Sequence, residues 1–567
     1  MQRRQTGVLD FIFCLFLAQS QCVLAKAPPV WADFTQDFIE QYFTRQPAFA
    51  AQAGRHEFDG KLPNWSPRSL RLRVLWLESI KQTAERYPAA SLNPAQTMER
   101  QYLLSVVQGE LFWLQTMKAP YKNPMHYSEA LDPNLYINRP YAPPAQRMRA
   151  FIQYAHNIPR AAAQIRHNLH GPLPRTYINV GQNLFSGLAK FYANEAKAAF
   201  SEVDDPKLQK EFDKAQIAAS HAMSELAAWL DSKRGSASDD FALGAEHFRD
   251  MLRITEGVDI AINDLQQAGQ QDLDRNLAAL REACSSYAPQ SSLADCVAKV
   301  EAQKPAAGPV AEAEQQLIRL KTFVEKQGLV SIPGDNQAMV AESPAYKRWN
   351  TAYIDIPGPF ETGMASIYYV SPPDPAWSAA DQAAYLPSTA NLLFISAHEV
   401  WPGHFLQNLH AQRAESALAQ LFGSYAFSEG WAHYSEELMW EAGLNNGDSE
   451  THIGQLLNAL IRDVRFLAAI GLHTQGMSVE TAEQMFREQA FRDPGNARQQ
   501  AARGTFDPGY LNYTLGKLMI RKLRQDWTAT RGGREAWKAF HDQFLSYGAP
   551  AIPLVRKAML PGDGGNL

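Results

Sequence analysis

Apolar residues recur at three- and four-residue spacing along most of the chain, the pattern of helices that each bury one face. Three of these runs are introduced by a capping residue and a proline, which satisfies a first-turn donor and presets φ. Ser66-Pro67 comes before LRLRVLWLESIKQTAERY, Asn93-Pro94 before AQTMERQYLLSVVQGELFWLQTMK, and Asp205-Pro206 before KLQKEFDKAQIAASHAMSELAAWL. The same periodicity predicts helices at about 145–170, 256–283, 310–327, 388–411, 416–442, 449–475 and 510–530. Strand-like alternation is scarce. The best candidate is ASIYYV at 365–370, bracketed by Pro357-Gly358-Pro359 and by Ser371-Pro372-Pro373-Asp374-Pro375. AQKPAAGPV at 302–310 reads as a linker between helical blocks, and neither an internal repeat nor a low-complexity tract is present. The pattern predicts a mainly α protein, helical in its N-terminal half, with a small β-sheet in its C-terminal half.

The first 27 residues do not fit this pattern. Arg3 and Arg4 give a positive start, Phe11 to Ala18 form a short apolar run, and Val23-Leu24-Ala25 has small-residue cleavage character. That is a secretory leader over 1–25, cleaved near Ala25, which places the mature chain in the periplasm or outside the cell. Cys22 invites lipid attachment, but Gln19-Ser20-Gln21 is a poor context for it. No later stretch reaches membrane length without charges, so stable membrane insertion is not expected.

Composition narrows the chemistry. The 567 residues are 46% hydrophobic and 20% charged, ordinary values for a folded protein. A net charge of −5 gives no general attraction to nucleic acid. Four cysteines exclude a disulfide scaffold or a multi-cysteine metal cluster. Cys14 and Cys22 fall in the leader. Cys284 and Cys296 flank a serine- and proline-bearing stretch and are expected to form a disulfide contributing about 3 kcal/mol.

The chemistry-bearing segment is NLLFISAHEVWPGHFLQNLH at 391–410. A zinc peptidase helix usually carries two histidines four residues apart with a glutamate after the first, so that both rings face one ion and the carboxylate can take a proton from water activated there. Here His398-Glu399 is followed at the fourth position by Pro402, and the next histidine, His404, is six residues on. On a straight helix six residues mean about 9 Å of rise and about 600° of turn, which separates the rings. Pro402 and Gly403 predict a break that lets His404 swing back toward His398. A third ligand is available in AFSEGWAHYSEE at 426–437, where Glu429 shares a helical face with His433 and Glu436. Two histidines and a carboxylate leave zinc one open position for water. A rival set replaces His404 by His433. Trp431 and Tyr434 are expected to wall a cleft.

HEVWPGHFLQ followed by FSEGWAHYSEE resembles the signature His-Glu-x-x-Pro-Gly-His…Glu-Gly-Trp-Ala of a family of exported bacterial proteins carrying a domain of unknown function, grouped with the zincin metallopeptidases near thimet oligopeptidase and carboxypeptidase Taq. PGPFETG (357–363), ASIYYVSPP (365–373), the helix around Arg465 and His473, and NYTLGKLMIRKLR (512–524) resemble that family as well. The resemblance implies a large two-lobed helical fold, with lobes over 26–305 and 306–567, a deep cleft bordered by the small sheet, and one Zn2+ per chain held by His398, His404 and Glu429. The 25-residue step from His404 to Glu429 is also the step in thimet-like peptidases, which favours His404 over His433.

Roles follow from these expectations. Glu399 is the general base and then the proton donor to the leaving amine. Tyr513, with Tyr510 as its competitor, is the candidate phenolic donor to the oxyanion. His473 supports the metal ligands from behind, donates to the oxyanion, or is a satisfied buried histidine. Arg465 holds a substrate carboxylate or forms a structural ion pair. The strand bearing Tyr368 and Tyr369 receives peptide as an added strand. The function expected is zinc-dependent hydrolysis of short peptides. The alternatives are a non-catalytic metal- or peptide-binding protein on the same scaffold and a metal hydrolase of a non-peptide amide.

Overall fold

In the computed structural model, residues 30–344, 347, 351–361, 363–373, 378–560, 562 and 565–567 are described, without the side chains of 380 and 381. The leader read over 1–25 lies outside the described residues. The caps act as the sequence implies. Ser66 Oγ accepts from the Ser69 amide, Asn93 forms a capping box with Gln96, and Asp205 accepts from the Leu208 amide. Such caps contribute about 1 kcal/mol each.

The first hydrophobic core is built by helices α1 (Trp31–Arg45), α2 (Pro67–Arg86), α3 (Pro94–Leu111), α4 (Pro144–Asn168), α5 (Arg175–Ala193) and α6 (Pro206–Asp231), around Phe38, Leu103, Phe151, Phe185 and Phe212. The second core begins at Leu243 and takes in α7 (Gly244–Thr255), α8 (Ile262–Tyr287), α9 (Leu293–Glu301), α10 (Pro309–Gln327), α11 (Thr389–Glu399), α12 (His404–Ala411), α13 (Tyr425–Glu441), α14 (Ser449–Thr474), α15 (Pro494–Phe506), α16 (Asn512–Thr528) and α17 (Trp537–Ser546). The handover lies between Leu230 and Leu243, ahead of the linker at 302–310, which joins α9 to α10 inside the second core. The cores interlock, because Phe112 packs in the second while Leu418 and Ala419 pack in the first. Cys284 on α8 and Cys296 on α9 form a disulfide. The protein is thus mainly α with one small sheet.

That sheet has three strands, β1 (Ala338–Glu342), β2 (Ala352–Asp355) and β3 (Ser366–Val370), in the order β1-β3-β2. β3 runs parallel to β1, with Val340 opposite Tyr368, and antiparallel to β2, with Ile354 opposite Tyr368. Only β3 is legible in the sequence. β1 and β2 hold no fully buried residue and show no clean in–out alternation, so neither gives a period-2 signal. The topology corrects one expectation. β3 is the central strand, so both of its edges are already paired and it has none to offer a peptide. Tyr368 is buried, with its hydroxyl 3.3 Å from Ser396 Oγ on α11, and Tyr369 is buried with its ring stacked on Tyr353. These two tyrosines fasten the sheet, and the added-strand mode expected of them has no free edge here.

The loop between β2 and β3 is clamped to the first core. Arg139 pairs with Asp355 at 2.7 Å and Glu361 at 3.1 Å, and the Gly358 amide donates to Glu361. His56 lies 3.2 Å from Asp59 and 3.4 Å from Glu361. Burial works against the charged ring, but the hydrogen bond to Asp59 and the facing Glu361 carboxylate overcome it and raise its pKa to about 9. A raised pKa contributes stability that is full below the unfolded value of about 6.5 and is lost as pH rises through about 9. Melting temperature should therefore fall from pH 6.5 to 9, and His56→Gln should flatten that slope. An unchanged slope in the variant would remove His56 from the clamp.

Candidate metal centre

Ser388 caps α11 by accepting from the Asn391 amide, and the helix ends at Glu399 where Val400 leaves helical geometry (φ −124°, ψ −72°). The Trp401–Pro402 peptide is cis. The Gly403 amide then donates back to Ala397 O at 2.9 Å, and α12 starts at His404. A Cβ on Gly403 would lie 1.7 Å from His398 O and 2.6 Å from Ala397 O, so only a hydrogen fits there. The break brings the two rings together, with centroids 4.8 Å apart and planes at 87°.

Glu429 comes from α13, whose first turn is capped by Ser424, itself hydrogen-bonded to the buried Glu256. α13 crosses α16 with glycine on glycine. A Cβ on Gly430 would lie 2.4 Å from Gly516 Cα, and one on Gly516 1.9 Å from Ala426 O. This close approach carries Tyr513 to the side of Glu429. Trp431 Nε1 donates to Pro402 O at 2.9 Å, which ties the second motif to the break in the first. Trp431 and Tyr434 are both buried, Trp431 stacked on Phe544 and Tyr434 bonded to His541 and Arg524. They are core residues, not the cleft wall expected from the sequence.

His398 Nε2 and His404 Nε2 each lie 3.3 Å from the same Glu429 oxygen, Oε2. The ligand atoms of this trio are all within 4.8 Å of one another. Two ligands of a tetrahedral zinc, with bonds of about 2.0–2.1 Å, stand about 3.3–3.4 Å apart, which matches both separations. Glu429 Oε2 is buried yet makes no hydrogen bond. Burial would raise the Glu429 pKa, but His404 and His398 hold it well below the ordinary carboxylate range. An anionic oxygen without a hydrogen bond, between two imidazole nitrogens, fits a cation. His433 does not join the trio. One turn beyond Glu429 on α13, it is fully buried with Nδ1 3.5 Å from Glu436 Oε2, and burial lowers its pKa to about 4.

The trio has an outer support that the sequence reading did not assign. His398 Nδ1 donates to Glu436 Oε1 at 2.7 Å, and Arg462 reaches the same oxygen at 3.1 Å. Glu436 is fully buried; burial opposes its charge, and Arg462, His433 and His398 keep its pKa well below the usual range. A carboxylate on the far nitrogen fixes the tautomer and aim of a ligating histidine. Its only sequence signal is the seven-residue step from Glu429, which many solvated glutamates share. Glu436→Gln should weaken zinc binding by about 10–100-fold in a competition titration. A change under threefold would deny Glu436 this role.

Glu399 is half-buried and makes no hydrogen bond or ion pair among the described residues, although its charge is felt at the Tyr368 phenol. Tyr513 stacks on His398 at 6.1 Å and 18°, against Tyr425 on its other side. Burial and Glu429 raise its pKa against the pull of Arg503 and Arg465, so it stays a donor at neutral pH. Tyr510 is fully buried instead, its hydroxyl packed over Gly504 and without a hydrogen bond. His473 is also spent in the core. Its Nε2 donates to Gly504 O at 2.7 Å while its Nδ1 accepts from the Leu243 amide at 3.3 Å, which leaves nothing for an oxyanion. Arg465 has no ion pair among the described residues. Its Nε donates to Gln500 at 2.8 Å, and its guanidinium lies 4.9 Å from the Tyr513 ring. Tyr425 and Arg503, joined at 3.0 Å, complete this side of the centre and were not expected from the sequence. A cavity of about 340 Å³ beside the sheet is lined by Gln337, Met364, Phe405 and Gln412 among others, but by none of the trio.

A family model described as a bacterial protein of unknown function, DUF885, matches residues 47–559. The chain belongs to that family. Two solved structures share its fold. One is a candidate lipoprotein of unknown function from Shewanella oneidensis, 22% identical, with a TM-score of 0.74 over 93% of this chain and 99% of that one. The other is a candidate lipoprotein from Colwellia psychrerythraea, 16% identical, with a TM-score of 0.77 over 93% and 98%. No curated protein matches this DUF885 chain. Among its described residues no helix is long and apolar enough to cross a membrane.

Proposed function

We propose that this DUF885 protein is a zinc-dependent metallopeptidase that hydrolyses short peptides. One observation carries the reading: two imidazole nitrogens converge at 3.3 Å on a buried Glu429 oxygen that makes no hydrogen bond. Glu399, next to His398 in the chain and free of hydrogen bonds and ion pairs among the described residues, adds to it. The resemblance of the two motifs to zincin signatures supports it. His398, His404 and Glu429 would hold the ion, which when bound supplies Lewis-acid activation of water and of the scissile carbonyl. The side chains do the rest. Glu399 accepts the proton of the attacking water and delivers it to the leaving amine. The Tyr513 phenol donates to the developing oxyanion. Glu436 and Arg462 keep His398 in the tautomer that presents Nε2. The leader pattern, the Cys284–Cys296 disulfide and the description of both structural neighbours as candidate lipoproteins support export to the periplasm or beyond.

The test is metal content and turnover on the same sample. The reading predicts about one zinc per chain and cleavage of members of a short-peptide library that stops on chelation. One zinc with no cleavage of any peptide would favour a binding protein on this scaffold. Cleavage of small non-peptide amides alone would favour a different amide hydrolase.

A further inference from the structure

Arg465 is a buried guanidinium against Tyr513 that makes no ion pair among the described residues. Three guanidiniums ring Tyr513, with Arg465 at 4.9 Å and Arg462 and Arg503 at 6.0 Å from its centroid. Arg462 is matched by Glu436 at 3.1 Å and Arg503 by Asp507 at 2.9 Å. Arg465, 9% exposed, has only the neutral Gln500 on its Nε, and its terminal nitrogens make no hydrogen bond among the described residues. Those nitrogens keep contact with solvent rather than being sealed in. Burial, Arg503 and Arg462 lower its pKa to about 10 against the pull of Tyr513 and Tyr425. A buried cation without a counter-ion is costly, and a site that keeps one open to solvent is built for an anion from outside.

We propose that Arg465 receives the free C-terminal carboxylate of the substrate, which makes the protein a carboxypeptidase that releases one or two residues. This rests on the metallopeptidase reading above. The 4.9 Å from the guanidinium to the Tyr513 ring and the 6.1 Å from that ring to His398 put Arg465 no farther than about 11 Å from the His398 ring. An extended chain covers about 3.3–3.6 Å per residue, so a carboxylate held in a bidentate pair leaves room for one or two residues before the scissile carbonyl. In the reaction, water oxygen joins the acyl carbon, the C–N bond breaks and the proton goes to the leaving amine. The products are a shortened peptide and a free amino acid or dipeptide. Peptides with blocked C-termini lose the pairing and are poor substrates.

The experiment measures binding by calorimetry to the full mature chain carrying Glu399→Gln, zinc-loaded and metal-free. Three matched peptides are compared: a free acid, its C-terminal amide, and an amide ending in aspartate. The free acid should bind at least tenfold tighter than either amide in both forms. Arg465→Gln should erase that preference, and Arg465→Lys should recover part of it, with zinc content unchanged in each. Equal binding of acid and amide, or a preference that survives Arg465→Gln, overturns the assignment. Aspartate-amide binding as tight as the acid would place a side-chain carboxylate on Arg465 and overturn C-terminal specificity. Turnover by the wild type separates the two layers. Equal hydrolysis of acid and amide overturns the Arg465 proposal and leaves the peptidase reading standing. Preferential binding of the acid with no hydrolysis overturns the peptidase reading and leaves a carboxylate receptor.

Discussion

Glu399→Gln is expected to lower peptide hydrolysis by about 10²–10⁴-fold while leaving the zinc content of the protein unchanged. The two halves of this prediction come from different features. Glu399 is the last residue of α11, where it is half-buried and free of hydrogen bonds and ion pairs among the described residues. An amide of the same shape therefore disturbs no structural partner, and the fold and the trio should survive. What the amide cannot do is accept a proton from water, which removes the base without removing the ligands. The pairing of retained metal with lost turnover separates a catalytic glutamate from a structural one. Parallel loss of metal would instead place Glu399 among the groups that build the site. Retained activity would remove it from the mechanism.

Gly403→Ala is expected to cut zinc affinity and turnover by more than about 10²-fold, the cost of misplacing reacting groups by around an ångström. The clash here is with backbone, so no side chain can rotate away. The added carbon would meet His398 O at 1.7 Å, His398 C at 2.4 Å and Ala397 O at 2.6 Å. Relief requires α11 and α12 to part, and the residues at their facing ends are His398 and His404. Overpacking of this kind also costs about 1–3 kcal/mol of stability, so the measurement is zinc affinity on folded variant alongside its melting temperature. Wild-type affinity in a folded Gly403→Ala protein would contradict the account of how the two histidines meet.

Much of the fold was legible because helix signals are local. Ser66, Asn93 and Asp205 announce their helices through caps and prolines, and the structure starts helices at Pro67, Pro94 and Pro206. The run at 388–411 reads as one helix with a flaw, and the flaw at Pro402-Gly403 proves to be the feature that gathers His398 and His404. Pairings across the chain were not legible. That β3 is central rather than an edge depends on β1 and β2, which carry no alternation of their own. Tyr510 and Tyr513 look alike in sequence, yet three residues along a helix start place one over Gly504 and the other on His398. Trp431 and Tyr434 looked like cleft aromatics because flanking a ligand suggests it. Their indole and phenol partners, Pro402 O and His541, lie 29 and 107 residues away, beyond any local pattern. The same distance in sequence hid the support of His398 by Glu436 and Arg462.

His398, His404 and Glu429 are expected to hold one metal ion. Anomalous diffraction at the zinc edge from crystals of the zinc-loaded protein tests it most directly. A single peak is expected about 2.0–2.2 Å from His398 Nε2, His404 Nε2 and Glu429 Oε2, with Glu399 not bonded to the ion. A peak at His433, or none within bonding distance of the trio at full zinc loading, would contradict it.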